Sequence, residues 1–178
     1  LNAPTVGQFA NPLELSGLDG TDGFSVNGID SDDYLGRAIS NIGDMSGDGI
    51  DDFLIGAFTA DPNGSRSGES YVVFGNNTFS VTFNLSDLDG TNGFQLNGIS
   101  ADDRLGTSVH AAGDVNNDGL DDIIISARNG DAGANNGGES YVIFGSNTFP
   151  AIFELSDLDG TNGFQLNGIS GNDNSGNS

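Results

Sequence analysis

Apolar positions along this chain come in short, regularly spaced groups, none long enough to make a helix of ordinary length. Segments rich in β-branched and aromatic residues are bounded by Gly, Asp and Asn turns, the signature of strands. The segments fall at Arg37–Ile42, Phe53–Ala57, Ser70–Phe74 and Phe94–Asn97, then again at Thr107–Ala112, Ile123–Ala127, Ser140–Phe144 and Phe164–Asn167. Phe53-Leu54-Ile55 and Ile123-Ile124-Ile125 are continuous apolar runs, which predicts strands covered on both faces. An isolated segment, Phe24–Asn27, precedes the first set.

The two sets are copies. LDGTDGFSVNGIDSDDYLG at 18–36 recurs as LDGTNGFQLNGISADDRLG at 88–106 and as LDGTNGFQLNGISGNDNSG at 158–176, so the period is 70 residues. GDMSGDGIDDFLIGA (43–57) returns as GDVNNDGLDDIIISA (113–127), and Leu85–Ser100 is identical to Leu155–Ser170. Four strands per repeat predict an all-β fold of tandem four-stranded antiparallel blades, from a β-propeller or a similar radial array. The expected units are a partial repeat at 1–36 (an outer strand and linker), complete blades at 37–106 and 107–170, and the start of a further repeat at 171–178. Two blades cannot close a ring, and open edges invite pairing with other strands. The chain is therefore expected to belong to a longer series or to close by self-association. It opens on Leu1 with no leader-like stretch, the expectation for a mature product or an excised section.

Charge sharpens this picture. The chain has 26 acidic residues against four cationic ones, all Arg, for a formal net charge of −22. Self-repulsion at that density opposes the compact state, and divalent cations would relieve it. With no basic stripe to neutralise phosphates, nucleic acid is not an expected partner, and neither is an anionic lipid surface. No segment has the length of a membrane-spanning helix. Cys is absent, so neither disulfides nor thiolate metal sites are available.

Two ordered acidic clusters supply the candidate chemistry. Asp44, Ser46, Asp48 and Asp52 carry oxygen at positions 1, 3, 5 and 9 of one loop, and Asp114, Asn116, Asp118 and Asp122 repeat them. Gly49 and Gly119 at position 6 permit the bend that turns the position 7 carbonyls of Ile50 and Leu120 inward. Such all-oxygen sets suit Ca²⁺ better than Mg²⁺, and without Cys or a nearby His they do not suit Zn²⁺. About two Ca²⁺ per chain are expected, with the second loop the stronger because Asn116 replaces Ser46. Asp51 and Asp121, at position 8, are expected to face solvent. An EF-hand would need Glu at position 12, where this chain has Ile55 and Ile125 inside strands.

These loops, with the Tyr71–Gly75 and Tyr141–Gly145 strands, resemble the FG-GAP repeat of integrin α-subunit β-propellers. The family's Phe-Gly slot holds Leu35-Gly36 and Leu105-Gly106 here, and Ser175-Gly176 in the third unit. Its Gly-Ala-Pro slot holds Gly56-Ala57-Phe58 and Ser126-Ala127-Arg128. The resemblance implies propeller blades whose hairpins hold Ca²⁺.

Catalysis finds little support. His110 is the only His and lies in an expected strand, and there is no Lys for a phosphate loop. The pairs Asp32/Asp33 and Asp102/Asp103 recur once per repeat, which suits turns or weak accessory ions better than one active site. Phe, at 12 residues, recurs at fixed repeat positions, as core packing would require. The four Arg are expected to pair with nearby Asp. The leading expectation is a non-enzymatic, calcium-binding module of a secreted or cell-surface protein, engaged in adhesion or in contact with a protein or glycan. Two alternatives stay open: a structural array joined through open blade edges, and an accessory region of a larger secreted enzyme.

Overall fold

A computed structural model describes residues 14–177; residues 1–13 of the expected first unit and Ser178 of the last lie outside it. Among the described residues there are eleven strands and no α-helix. In chain order they are β1 (Ser25–Asn27), β2 (Ala38–Gly43), β3 (Asp52–Ala57), β4 (Glu69–Val73), β5 (Thr82–Asn84), β6 (Gly93–Asn97), β7 (Leu105–Gly113), β8 (Asp122–Ala127), β9 (Glu139–Ile143), β10 (Ile152–Glu154) and β11 (Gly163–Asn167). Each expected strand is present, with boundaries shifted by one or two residues. Short 3-10 turns at Leu85–Asp87 and Leu155–Asp157 recur between them.

Strands β2-β3-β4-β6 form the first antiparallel blade and β7-β8-β9-β11 the second. The first sheet is wider than expected, because β10 adds a fifth strand. It runs parallel to β6 and pairs Ile152 with Gln95 and Glu154 with Asn97. The same arrangement holds β1 against β5, pairing Ser25 with Thr82. Outer strands β1 and β6 are thus each pinned by a short strand 57 residues further on, and β11 is left as an open edge among the described residues.

Aromatic side chains lock these pairings. Phe24 stacks on Phe79 with ring centroids 4.1 Å apart, and Phe94 stacks on Phe149 at 4.2 Å, both pairs inclined by 11°. Offset stacking of this kind adds to the burial of large apolar area. Phe94 and Leu96 are fully buried, whereas their counterparts Phe164 and Leu166 on β11 are 39% and 48% exposed.

The main core lies between the blades. Ile42, Met45 and Leu54 of the first meet Leu105, Val109, Ile123 and Ile125 of the second. Each fully buried aliphatic side chain contributes about 1.5–3 kcal/mol. The backbones come close where Gly56 faces Gly106, since a Cβ on Gly56 would sit 2.2 Å from the Gly106 carbonyl oxygen. Side chains that alternate into this layer explain the apolar runs of β3 and β8. Phe53 and Ile124, pointing the other way, are only half-buried.

Candidate metal centres

The loops Asp44–Asp52 and Asp114–Asp122 join β2 to β3 and β7 to β8, at the same end of adjacent blades. In each, the first Asp lies at the centre of the coil. The Asp44 carboxylate accepts the amides of Gly47, Asp48 and Gly49 at 2.7, 3.0 and 2.8 Å. Asp114 accepts those of Asp118 and Gly119, each at 3.0 Å. Asp48 and Asp118 accept the amides of Ile50 and Leu120. Gly49 and Gly119 take the left-handed backbone that the bend requires (φ 87° and 94°).

Position 9 closes each loop from below. Asp52 and Asp122 are buried at the starts of their strands. Asp52 accepts the amides of Ser46 (2.9 Å) and Gly75 (2.8 Å), and Asp122 those of Val115 and Gly145, both at 2.8 Å. These bonds tie the loop to the far end of the third strand of the blade. Burial pushes the Asp52 carboxyl pKa up, the two amides oppose that, and the Asp48 and Asp44 carboxylates add to it. No Arg lies within ion-pair reach of either loop among the described residues.

Two features suit a hard cation. The Ser46 hydroxyl, at position 3, is shielded from solvent and has no hydrogen-bond partner. The position 7 carbonyls of Ile50 and Leu120 accept no backbone hydrogen bond among the described residues. A carboxylate oxygen that accepts one amide keeps a further lone pair; Asp44 Oδ1, which accepts both Gly47 and Asp48, does not, whereas its Oδ2, bonded to Gly49 alone, does. Asp44, Ser46, Asp48, Ile50 and Asp52 thus share one loop, and Asp114, Asn116, Asp118, Leu120 and Asp122 the other. Among the described residues, no three acidic or imidazole side chains converge into a group ready to hold a metal. The reason is local. Each first Asp turns inward to its own amides, and Asn116 donates to Asp118 at 2.8 Å.

The loops differ in what covers them. Asp121, expected to face solvent, instead reaches into the neighbouring blade. Its Oδ2 accepts the Asp44 amide at 3.0 Å, and its own amide donates to the Asp44 carbonyl at 3.2 Å. Ser146 donates to the Met45 carbonyl at 3.1 Å. A Cβ on Gly43 would fall 2.0 Å from Asp121 Oδ2, so only Gly admits this contact. Asp51, at the same loop position in the first blade, is exposed as expected and accepts from Asn41 at 3.2 Å. Met45 is therefore fully buried, while its counterpart Val115 is 52% exposed.

The other sequence candidates sort as follows. Asp32 and Asp102 sit in tight turns with left-handed backbone (φ 70° and 67°). Asp103 is buried beside a cavity of about 360 Å³ that Asp131 and Glu139 also line. Burial first, then the Glu139 and Asp131 charges, push its pKa up to about 6. His110 is exposed on β7. Of the four Arg, only Arg66 pairs with an Asp among the described residues, Asp102 at 2.8 Å, so the expected general pairing does not occur.

The FG-GAP repeat model matches residues 105–143, which span β7, the second loop, β8 and β9. The chain is also 30% identical over 176 residues to Integrin alpha-5 of Xenopus laevis, a match covering 84% of this chain. It spans 16% of that relative's length. Repeated blades, loop positions and both comparisons agree: residues 105–143 form an FG-GAP repeat, and the chain is similar to integrin α-type β-propeller sequences.

Proposed function

We propose that this chain is a calcium-stabilised, non-enzymatic repeat module of a secreted or cell-surface protein that makes adhesive contacts with a protein or glycan. One observation carries the reading. Two all-oxygen loops stand in register on adjacent blades, each closed by a buried Asp and neither near an Arg. Ca²⁺ would be held by Asp44, Ser46, Asp48, the Ile50 carbonyl and Asp52, and by Asp114, Asn116, Asp118, the Leu120 carbonyl and Asp122. The ion would neutralise carboxylates that otherwise repel one another in a chain of net charge −22. Similarity to an integrin α-subunit supports an extracellular setting and a family without catalysis as its usual role.

Thermal melting with calcium or a chelator tests this. Free Ca²⁺ at ~100 times the dissociation constant adds ~2.7 kcal/mol per site. For a chain of this size that is roughly 5–10 °C. Asp48→Asn and Asp118→Asn should each remove one share. No calcium-dependent shift in the parent chain would sink the proposal.

A second reading, association through open blade edges, draws on β11. Phe164 and Leu166 are exposed where Phe94 and Leu96 are covered by Phe149 and β10. Concentration-dependent sedimentation that Phe164→Ser abolishes is the expected outcome of that reading. A strictly monomeric chain at high concentration would count against it.

A further inference from the structure

Topology places all four cationic side chains at the blade end opposite the metal loops. Arg37 precedes β2, Arg66 precedes β4, Arg104 precedes β7 and Arg128 follows β8. In a chain with 26 acidic residues, each would be expected to have a carboxylate close by. Among the described residues, Arg37, Arg104 and Arg128 have none within 4.0 Å. Arg104 stands near two of the others: burial and then the neighbouring Arg128 and Arg66 charges lower its pKa, with Asp102 opposing them in part.

Two of these guanidiniums face one cavity of about 330 Å³, lined by Arg37, Phe58, Thr107, Arg128 and Asn177. Among the described residues, no acidic side chain lines it. Arg37 lies over the Phe58 ring, 5.0 Å from its centroid, which fixes that guanidinium by a cation–π contact. Among the described residues, the Nε of Arg128 is shielded from solvent without a partner, and its Nη1 makes only a long contact of 3.5 Å to Asn177. A shielded, unpaired guanidinium nitrogen leaves a donor direction unused, which carries a free-energy cost. Phe58 and Arg128 also stand where the family pattern has Pro, so the cavity is built from this chain's own departures.

We propose that this cavity is an anion site that takes the carboxylate of an acidic sugar. Arg128 and Arg37 hold the carboxylate, since the planar guanidinium fork matches its two oxygens. The buried Phe58 ring lies under Arg37 and steadies it for the carboxylate, and the Asn177 amide meets a ring hydroxyl. A volume near 330 Å³ lies at the small end for ligand sites and suits one sugar unit. The net charge of −22 does not forbid a single carboxylate. At physiological salt the screening length is about 8 Å, so distant carboxylates are muted while guanidiniums in contact are not. The partner class rests on the proposed binding role; calcium has no part in the site.

The test is a titration of the whole chain, in calcium, with methyl β-glucuronide, followed by the NMR signals of the Arg Nε–H groups. Matched arms use neutral methyl β-glucoside and a blocked glutamate peptide. The expected result is perturbation at Arg37 and Arg128 by the glucuronide alone. Affinity should fall tenfold or more in Arg37→Ala and Arg128→Ala, and less in Arg128→Lys. Arg37 is exposed, so its variant keeps the fold if Arg128→Ala does not. Equal binding of the glucoside overturns the proposal. So does binding of the peptide without the glucuronide, perturbation confined to the calcium loops, or an unchanged affinity in Arg37→Ala. Calcium-dependent melting is measured without sugar, so failure of either proposal is read separately.

Discussion

Replacing Asp121 by Ala tests whether the two loops are mechanically joined. The substitution removes the carboxylate that accepts the Asp44 amide at 3.0 Å and leaves that half-buried N–H without its partner. A hydrogen bond to a charged group contributes about 1.5–3 kcal/mol. Removing one negative charge from a chain at −22 relieves some repulsion, which offsets part of that loss. The expected net destabilisation is about 1–2 kcal/mol, or roughly 2–8 °C in melting temperature at this size. Asp121→Asn retains an acceptor and loses the repulsion, so it should stay near the parent. Asp51→Ala is the internal control: it is exposed, and such surface changes fall within about 0.5 kcal/mol. Melting of the three variants in parallel, with calcium fixed, reads the comparison. The reasoning is refuted if Asp121→Ala and Asp51→Ala are indistinguishable. Calcium affinity at the first loop should also fall in Asp121→Ala, because the Asp44 backbone loses its hold, while the second loop is unchanged.

Other expectations are simpler to state. Phe94→Ala, at a fully buried ring stacked on Phe149, should cost about 3–5 kcal/mol in urea unfolding. Phe164→Ala, at the identical sequence position with 39% exposure, should cost a fraction of that. The Asp103 pKa is raised to about 6 in the folded chain from an unfolded value of about 3.9. Its stabilising contribution is therefore complete below about pH 4 and lost as pH rises through about 6. Asp103→Asn should then be more stable than the parent at pH 7 and equal to it at pH 4, as read from melting across that range.

Most of the blade was legible in the sequence because its signals are local. The apolar run at Ile123–Ile125 and the Asp-Gly pairs of the loops each fix an element without reference to distant residues, and the repeat at 70 residues shows each of them twice. What escaped is what depends on contacts across blades. Strands β5 and β10 are three residues long, and Thr82–Asn84 has no periodicity to display. They exist because an outer strand from the preceding unit lies alongside. Asp121 and Asp51 are indistinguishable as loop positions. Only the packing of Leu120, Ser146 and Asn147 around Gly43–Gly47 separates them. The Arg residues misled for the same reason, since nearness in sequence to Asp32, Asp33 or Asp102 says little about where a guanidinium ends.

The spacing of 57 residues between each outer strand and its short partner also bears on how such a gene grows. The spacing is shorter than the 70-residue period. Copying a whole period, from any starting codon, keeps that spacing and delivers each outer strand but the last to a partner at the same distance. Unequal recombination can lengthen the series without stranding an aromatic ring inside it. The identical runs Leu85–Ser100 and Leu155–Ser170 span this outer strand, the part of the unit that each new copy must offer to the next.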